Sequence, residues 1–280
     1  MELRFTKKFP RTKKRSIGLI SVSAFALLLG SAYAGTAWAD GPAVSTVNEK
    51  ISVEGGDLGG HGAGIAQGSI TFPVTHSFGA QFDFAAGDGH GYGLWGAGAQ
   101  GFWRDPTAGL AGLFVTHSDH GDAPPARKPL SGAGVYVNRY GIEGEQYFGR
   151  FTPGVAAGYQ DGIFLDKKGG FAVLDLGWYP VDNFNLSGGG DLNSAHSRVL
   201  LGAEYQLGLI PALPGLTAFT EAALSGQRDS YALVGFRIYF SPNKTLVRRQ
   251  REDDPGATII DTMSNTYSPA PTPTNIHGPG

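Results

Sequence analysis

The segment Ser230–Phe240, SYALVGFRIYF, alternates strictly between two kinds of side chain. Ala232, Val234, Phe236, Ile238 and Phe240 fall on one face, and Leu233, Gly235, Arg237 and Tyr239 on the other. Neighbouring side chains of a strand point to opposite faces, so this pattern predicts a strand with one wholly apolar side. Its length matches a tilted strand that crosses a bilayer once, roughly 9–11 residues.

The same alternation recurs upstream and predicts about twelve strands, with ten as the lower count. They run near Thr46–Glu54, Gly64–Thr75, Phe78–Ala86, Gly91–Arg104, Gly109–Thr116 and Val135–Phe148. The remainder lie near Phe151–Gln160, Gly170–Trp178, Phe184–Gly190, Arg198–Leu207, Leu216–Leu224 and Ser230–Phe240. Apolar sets such as Phe78/Ala80/Phe82/Phe84/Ala86 and Val199/Leu201/Ala203/Tyr205/Leu207 supply one face each. Trp95, Trp103 and Trp178 sit near strand ends, where an aromatic girdle belongs. Short turns at His76-Ser77, Asp105–Thr107, Gly149-Arg150 and Pro180–Asp182 alternate with longer connections at Ser118–Leu130, Asp161–Lys168 and Asp191–Ser197. This is the rhythm of an all-β, antiparallel, up-and-down transmembrane β-barrel. Gly208–Gly215 breaks the rhythm, being long where a short turn is due. A soluble secreted β-sandwich also alternates and is the competing fold, but the aromatic-rich apolar faces and the short alternate turns favour a barrel.

Residues Met1–Ala39 read as a signal peptide, with a basic start through Arg15, an apolar run at Leu19–Gly30 and an Ala37-Trp38-Ala39 cleavage pattern. The barrel then spans residues 40–240. Residues 241–280 hold the charged run Arg248–Asp254 and a Pro/Thr/Asn/Ser-rich end, and are expected to form a disordered periplasmic tail. Composition narrows the rest. The chain has no cysteine, which excludes disulfides, thiolate metal sites and thiol nucleophiles. A net charge of −2 gives no reason to expect a nucleic-acid partner. The 44 glycines lie within the alternating strands, where they leave room in a crowded interior.

Charged residues on strands that also carry an apolar face are expected to point inward, because a charge facing lipid at mid-depth costs about 2–4 kcal/mol. The expected lumen-lining set is Asp83, Arg104, Arg139, Glu143, Glu145, Asp175, Arg198, Glu204, Glu221 and Arg237. Signs are nearly balanced, so pairing across a narrow interior is favoured over an open charged pore, with Arg237 and Glu221 as the preferred pair. His117-Ser118-Asp119-His120 is the one cluster of catalytic residue types, and it motivates an alternative reading as a lipid-modifying outer-membrane hydrolase with Ser118 as nucleophile. Residues adjacent in sequence rarely form a nucleophile–base pair, so no enzyme activity, metal site or cofactor is expected. The glycine-rich Gly55–Gly64 lacks the Gly-Lys-Ser/Thr of a phosphate loop and reads as a turn.

Three stretches carry a family resemblance: Phe102–Pro106 (FWRDP), Glu204–Leu207 (EYQL), and Gly235–Phe240 with Lys244–Pro255. The chain resembles uncharacterised glycine-rich, porin-like outer-membrane β-barrel proteins of alphaproteobacteria. The resemblance implies a cell-outer-membrane location, outer-membrane lipid and the barrel assembly machinery as partners, and a small passive channel or structural barrel as function. The terminal aromatic that such barrels present to the assembly machinery corresponds to Phe240, here followed by forty residues. The arginines of the tail suggest a further contact with the cell wall.

Overall fold

The computed structural model describes residues 41–89, 92–120, 135–162, 168–193, 197–208, 211–226, 230–240 and 243–256. The expected signal segment Met1–Ala39 and the chain beyond Gly256 lie outside the described residues.

Twelve antiparallel strands form one closed barrel in which each pairs with the next and the last returns to the first. They are β1 (Asn48–Leu58), β2 (Gly62–Pro73), β3 (Phe78–Gly89), β4 (Tyr92–Asp105), β5 (Gly109–His120) and β6 (Val135–Gln146). The second half comprises β7 (Phe151–Gly162), β8 (Gly169–Val181), β9 (Phe184–Asn193), β10 (Ser197–Gln206), β11 (Leu216–Ser225) and β12 (Tyr231–Tyr239). Closure runs from Lys50↔Tyr239 to Leu58↔Tyr231, so no strand keeps an unpaired edge. β1 continues through the glycines to Leu58, and the reversal into β2 occupies only residues 59–61. Gly59 and Gly60 make it possible, with φ of 67° and 87°, where a side chain is strained.

Both ends of the barrel chain lie at one end, which also holds the turns 74–77, 106–108, 147–150 and 182–183; short connections occur at the opposite end too, at 59–61, 90–91 and 194–196. Asp105 shapes the turn at 106–108, its Oδ1 accepting from the Thr107 amide at 2.8 Å. The long connection 207–215 lies at this end too. It braces the mouth through Gln206, whose amide donates to Pro214 O (2.9 Å) and Lys244 O (3.0 Å).

The barrel is inside out by the standard of a water-soluble protein. Leu113, Val234, Phe84 and Phe236 are 66%, 64%, 59% and 56% exposed on the outside. Gln81, Gln160, Arg104, Thr217 and Asp191 are buried inside. A continuous apolar exterior on this scale far exceeds the few hundred Å² patches of soluble monomers. With a polar interior, closed hydrogen bonding and strands of 9–14 residues, it defines a transmembrane β-barrel. The outer face fits the expected strand parity, including Phe78, Phe82 and Phe84 of β3 and Val199, Leu201 and Tyr205 of β10.

The expectation of disorder from residue 241 onward does not hold for residues 243–256. Leu246–Glu252 forms a helix, α1, across the barrel mouth at the end where β1 begins and β12 ends. Leu246 and Arg249 are fully buried there, as is Val44 of the segment leading into β1.

Candidate functional site

Strand alternation sets the interior, and all ten charged residues read from the sequence have inward parity. They assemble into distinct groups. Near the end opposite the mouth, Asp191 Oδ2 lies 3.0 Å from Arg139 Nη2 and 2.5 Å from Arg198 Nη2, joining β6, β9 and β10. All three side chains are at most 1% exposed. Arg139 also donates to Gln160 Oε1 (3.1 Å) and covers the Phe171 ring. Asp191 is the member that sequence reasoning missed: it was assigned to a loop, whereas β9 continues to Asn193.

A second group centres on Glu204 of β10. Arg237 Nη1 donates to its Oε2 at 2.8 Å, while Thr217 Oγ1 (2.7 Å) and Tyr239 OH (3.0 Å) donate to Oε1. Arg237 therefore reaches past β11 to Glu204, beyond the neighbouring-strand Glu221 that sequence adjacency suggested. Glu221 faces the same interior. A third group is acidic. Tyr147 OH donates to Glu145 (3.2 Å), and Gln81 donates to Asp83 (2.9 Å). Oriented to satisfy its neighbours, the Gln100 amide donates to Glu143 at 2.6 Å. Arg104, fully buried, donates to Ala43 O (3.1 Å) and fixes the segment before β1.

Residues of the second and third groups line a chamber of about 350 Å³. Its walls carry seven carboxylates (Asp83, Glu143, Glu145, Asp175, Glu204, Glu221, Asp254) against three cations (Lys50, Arg237, Arg251). Glycine creates the space. A Cβ on Gly154 would lie 2.2 Å from Asp175 Oδ1, so the carboxylate rests on the bare backbone of β7.

Two structures bound the chamber. Toward the far end stand apolar side chains, one cluster being Leu58, Ile65, Ala85, Leu94, Ala223, Tyr231 and Leu233, another Phe114, Ala156, Phe171 and Val173. Leu200 packs against both. At the mouth, Gln250, Arg251, Asp254 and Gly256 form the floor.

The catalytic-type cluster separates. β5 runs on to His120, so alternation sends His117 and Asp119 outward and Ser118 inward. Ser118 is 1% exposed, and its Oγ has no hydrogen-bond partner among the described residues. His117 and Ser118, on opposite sheet faces, cannot share a proton, so that pair is not a nucleophile–base couple. His117 Nδ1 instead pairs with Asn138 Oδ1 (2.7 Å), and Asn138 Nδ2 donates to Asp161 Oδ1 (2.7 Å). Trp95 and Tyr136 flank the imidazole at 5.0 and 6.1 Å. This outward chain lies at the edge of the apolar belt, where polar groups meet the headgroup layer. Among the described residues no group of three or more His, Cys, Asp or Glu is arranged to hold a metal ion.

No family model matches the chain, and no curated protein matches it. Among solved structures it is similar to a KdgM porin, at 8% identity and a TM-score of 0.47, covering 70% of this chain and 99% of that one. A Salmonella typhi outer membrane phospholipase dimer with bound calcium is similar at 13% identity and a TM-score of 0.46, covering 71% and 91%. An outer membrane channel from Pseudomonas putida F1 gives 8% identity and a TM-score of 0.44, covering 70% and 96%. The fold assignment rests on the barrel's own topology.

Proposed function

We propose that the protein is a porin-like channel of the outer membrane that passes small cations passively and stands closed in the state described here. The supporting observation is the acidic chamber inside a lipid-facing barrel. A ring of carboxylates in a low-dielectric wall lowers the energy of a cation and raises that of an anion. The end with both chain ends is the periplasmic one in this reading, and the opposite end, where the longest connection joins β5 to β6, faces the outside. Outer-membrane lipid around the apolar belt and the barrel assembly machinery, offered Phe240 as an end-of-barrel aromatic, are the partners it requires.

Planar-bilayer recording tests it. Purified full-length protein should give rare, small openings whose reversal potential in a salt gradient favours cations. Anion preference, or silence at every voltage, overturns the channel.

A further inference from the structure

The segment that was expected to be disordered is tied to the barrel by many contacts. Lys50 Nζ lies 2.7 Å from Asp254 Oδ2, inside the mouth, with side chains 12% and 8% exposed. Arg251 donates to Gly149 O (2.8 Å), Phe151 O (2.9 Å) and Thr152 Oγ1 (3.0 Å), and covers the Tyr147 and Tyr179 rings. Gln250 joins Tyr179 and donates to Glu204 Oε2 (3.2 Å). Asp253 accepts from Ser45 Oγ (2.5 Å) and from Lys244 (2.8 Å), while the Val247 amide donates to Asp182 O (3.0 Å). These contacts reach β1, β7, β8, β10, the segment before β1 and the β8–β9 turn, around most of the mouth.

We propose that residues 243–256 are a built-in stopper, a self-ligand of the barrel mouth that shuts the acidic chamber from the side facing the periplasm in the reading above. Its chemistry supports removal as well as binding. Apart from Leu246 and the tyrosine rings that Arg249 and Arg251 cover, the contacts that hold it are polar and ionic, groups that water can satisfy once it leaves. A permanent plug would be expected to use buried apolar area instead. Only the assignment of the mouth to the periplasm rests on the channel reading; the stopper itself does not.

The chain has no cysteine, so a single Ser187→Cys substitution in the chamber wall gives a clean probe. Its reaction with a charged, membrane-impermeant thiol reagent is measured in micelles for the full chain and for a chain ending at Phe240. Labelling should be at least about tenfold slower in the full chain, reflecting a local opening equilibrium. A synthetic peptide of residues 243–256 should restore slow labelling to the shortened barrel. Should the shortened chain not fold, the full chain with Lys50→Ala and Arg251→Ala supplies the same contrast. Equal labelling rates, both fast or both slow, overturn the stopper. A clear contrast in a barrel that never conducts keeps the stopper and overturns the channel.

Discussion

Arg237 of β12 donates to Glu204 of β10 at 2.8 Å, spanning the strand that lies between them. The pair is nearly buried, at 16% and 7% exposure, and Thr217 and Tyr239 satisfy the other carboxylate oxygen. Breaking such a pair leaves an uncompensated charge. Glu204→Ala should therefore cost about 3–5 kcal/mol in barrel stability. Urea unfolding, read as loss of the heat-modifiable band on gels, measures it. A loss within about 0.5 kcal/mol, the range of an ordinary surface substitution, would refute the pairing.

Asp191 holds two guanidinia, Arg139 and Arg198, in a fully buried site. Asp191→Ala should destabilise the barrel by at least about 3–5 kcal/mol. Replacing the three together with Leu at 191 and Met at 139 and 198 should recover most of that loss, because well-packed apolar groups offset a buried ionic triad. If the triple variant is worse than Asp191→Ala alone, the triad has a role beyond charge compensation.

The stopper should loosen in acid. Burial tends to raise the Glu252 carboxyl, but hydrogen bonds from Arg248 and Lys244 and the charges of both hold it below its ordinary value of 4.5. A depressed carboxyl contributes its full stabilisation above the unfolded value and loses it as pH falls through the folded one. Helix protection in hydrogen exchange, corrected for intrinsic rates, should be constant from about pH 7 down to about pH 5 and fall below about pH 4. Glu252→Gln should lower protection at about pH 7 and flatten the profile. An unchanged profile in that variant would assign the acid response elsewhere.

The outward His117–Asn138–Asp161 chain satisfies its own hydrogen bonds at the belt edge, with Ser118 on the other face. His117→Ala and Ser118→Ala should each leave the lipid composition of expressing cells unchanged. A shift in lyso-lipid content that either substitution abolishes would reinstate lipid chemistry.

Much of the barrel was legible because its solvent is lipid. Each strand must show an apolar residue at every second position, so Phe78–Ala86 or Val199–Leu207 declares both strand and facing in sequence. Strand parity also gave the inward direction of the charges. What parity cannot give is partnership across the lumen: that Arg237 reaches Glu204, two strands away, is set by shear and side-chain length. Asp191 was lost because a strand end rich in glycine looks like a loop. The tail misled for a different reason. Arg249, Arg251, Asp253 and Asp254 read as a solvated charge run, yet each meets a side chain or carbonyl supplied by a distant part of the chain. Order of that kind depends on tertiary partners and leaves no local hydrophobic signal.

The central claim is that the apolar exterior faces lipid, and tryptophan quenching tests it most directly. Trp95, Trp103 and Trp178 are the tryptophans of the described residues, and all three sit on the outer face near opposite rims of the belt. In vesicles of lipids brominated at successive chain depths, their emission should fall strongly, most with bromines nearest the headgroups. Emission that ignores brominated lipid while soluble iodide quenches it would contradict a transmembrane barrel.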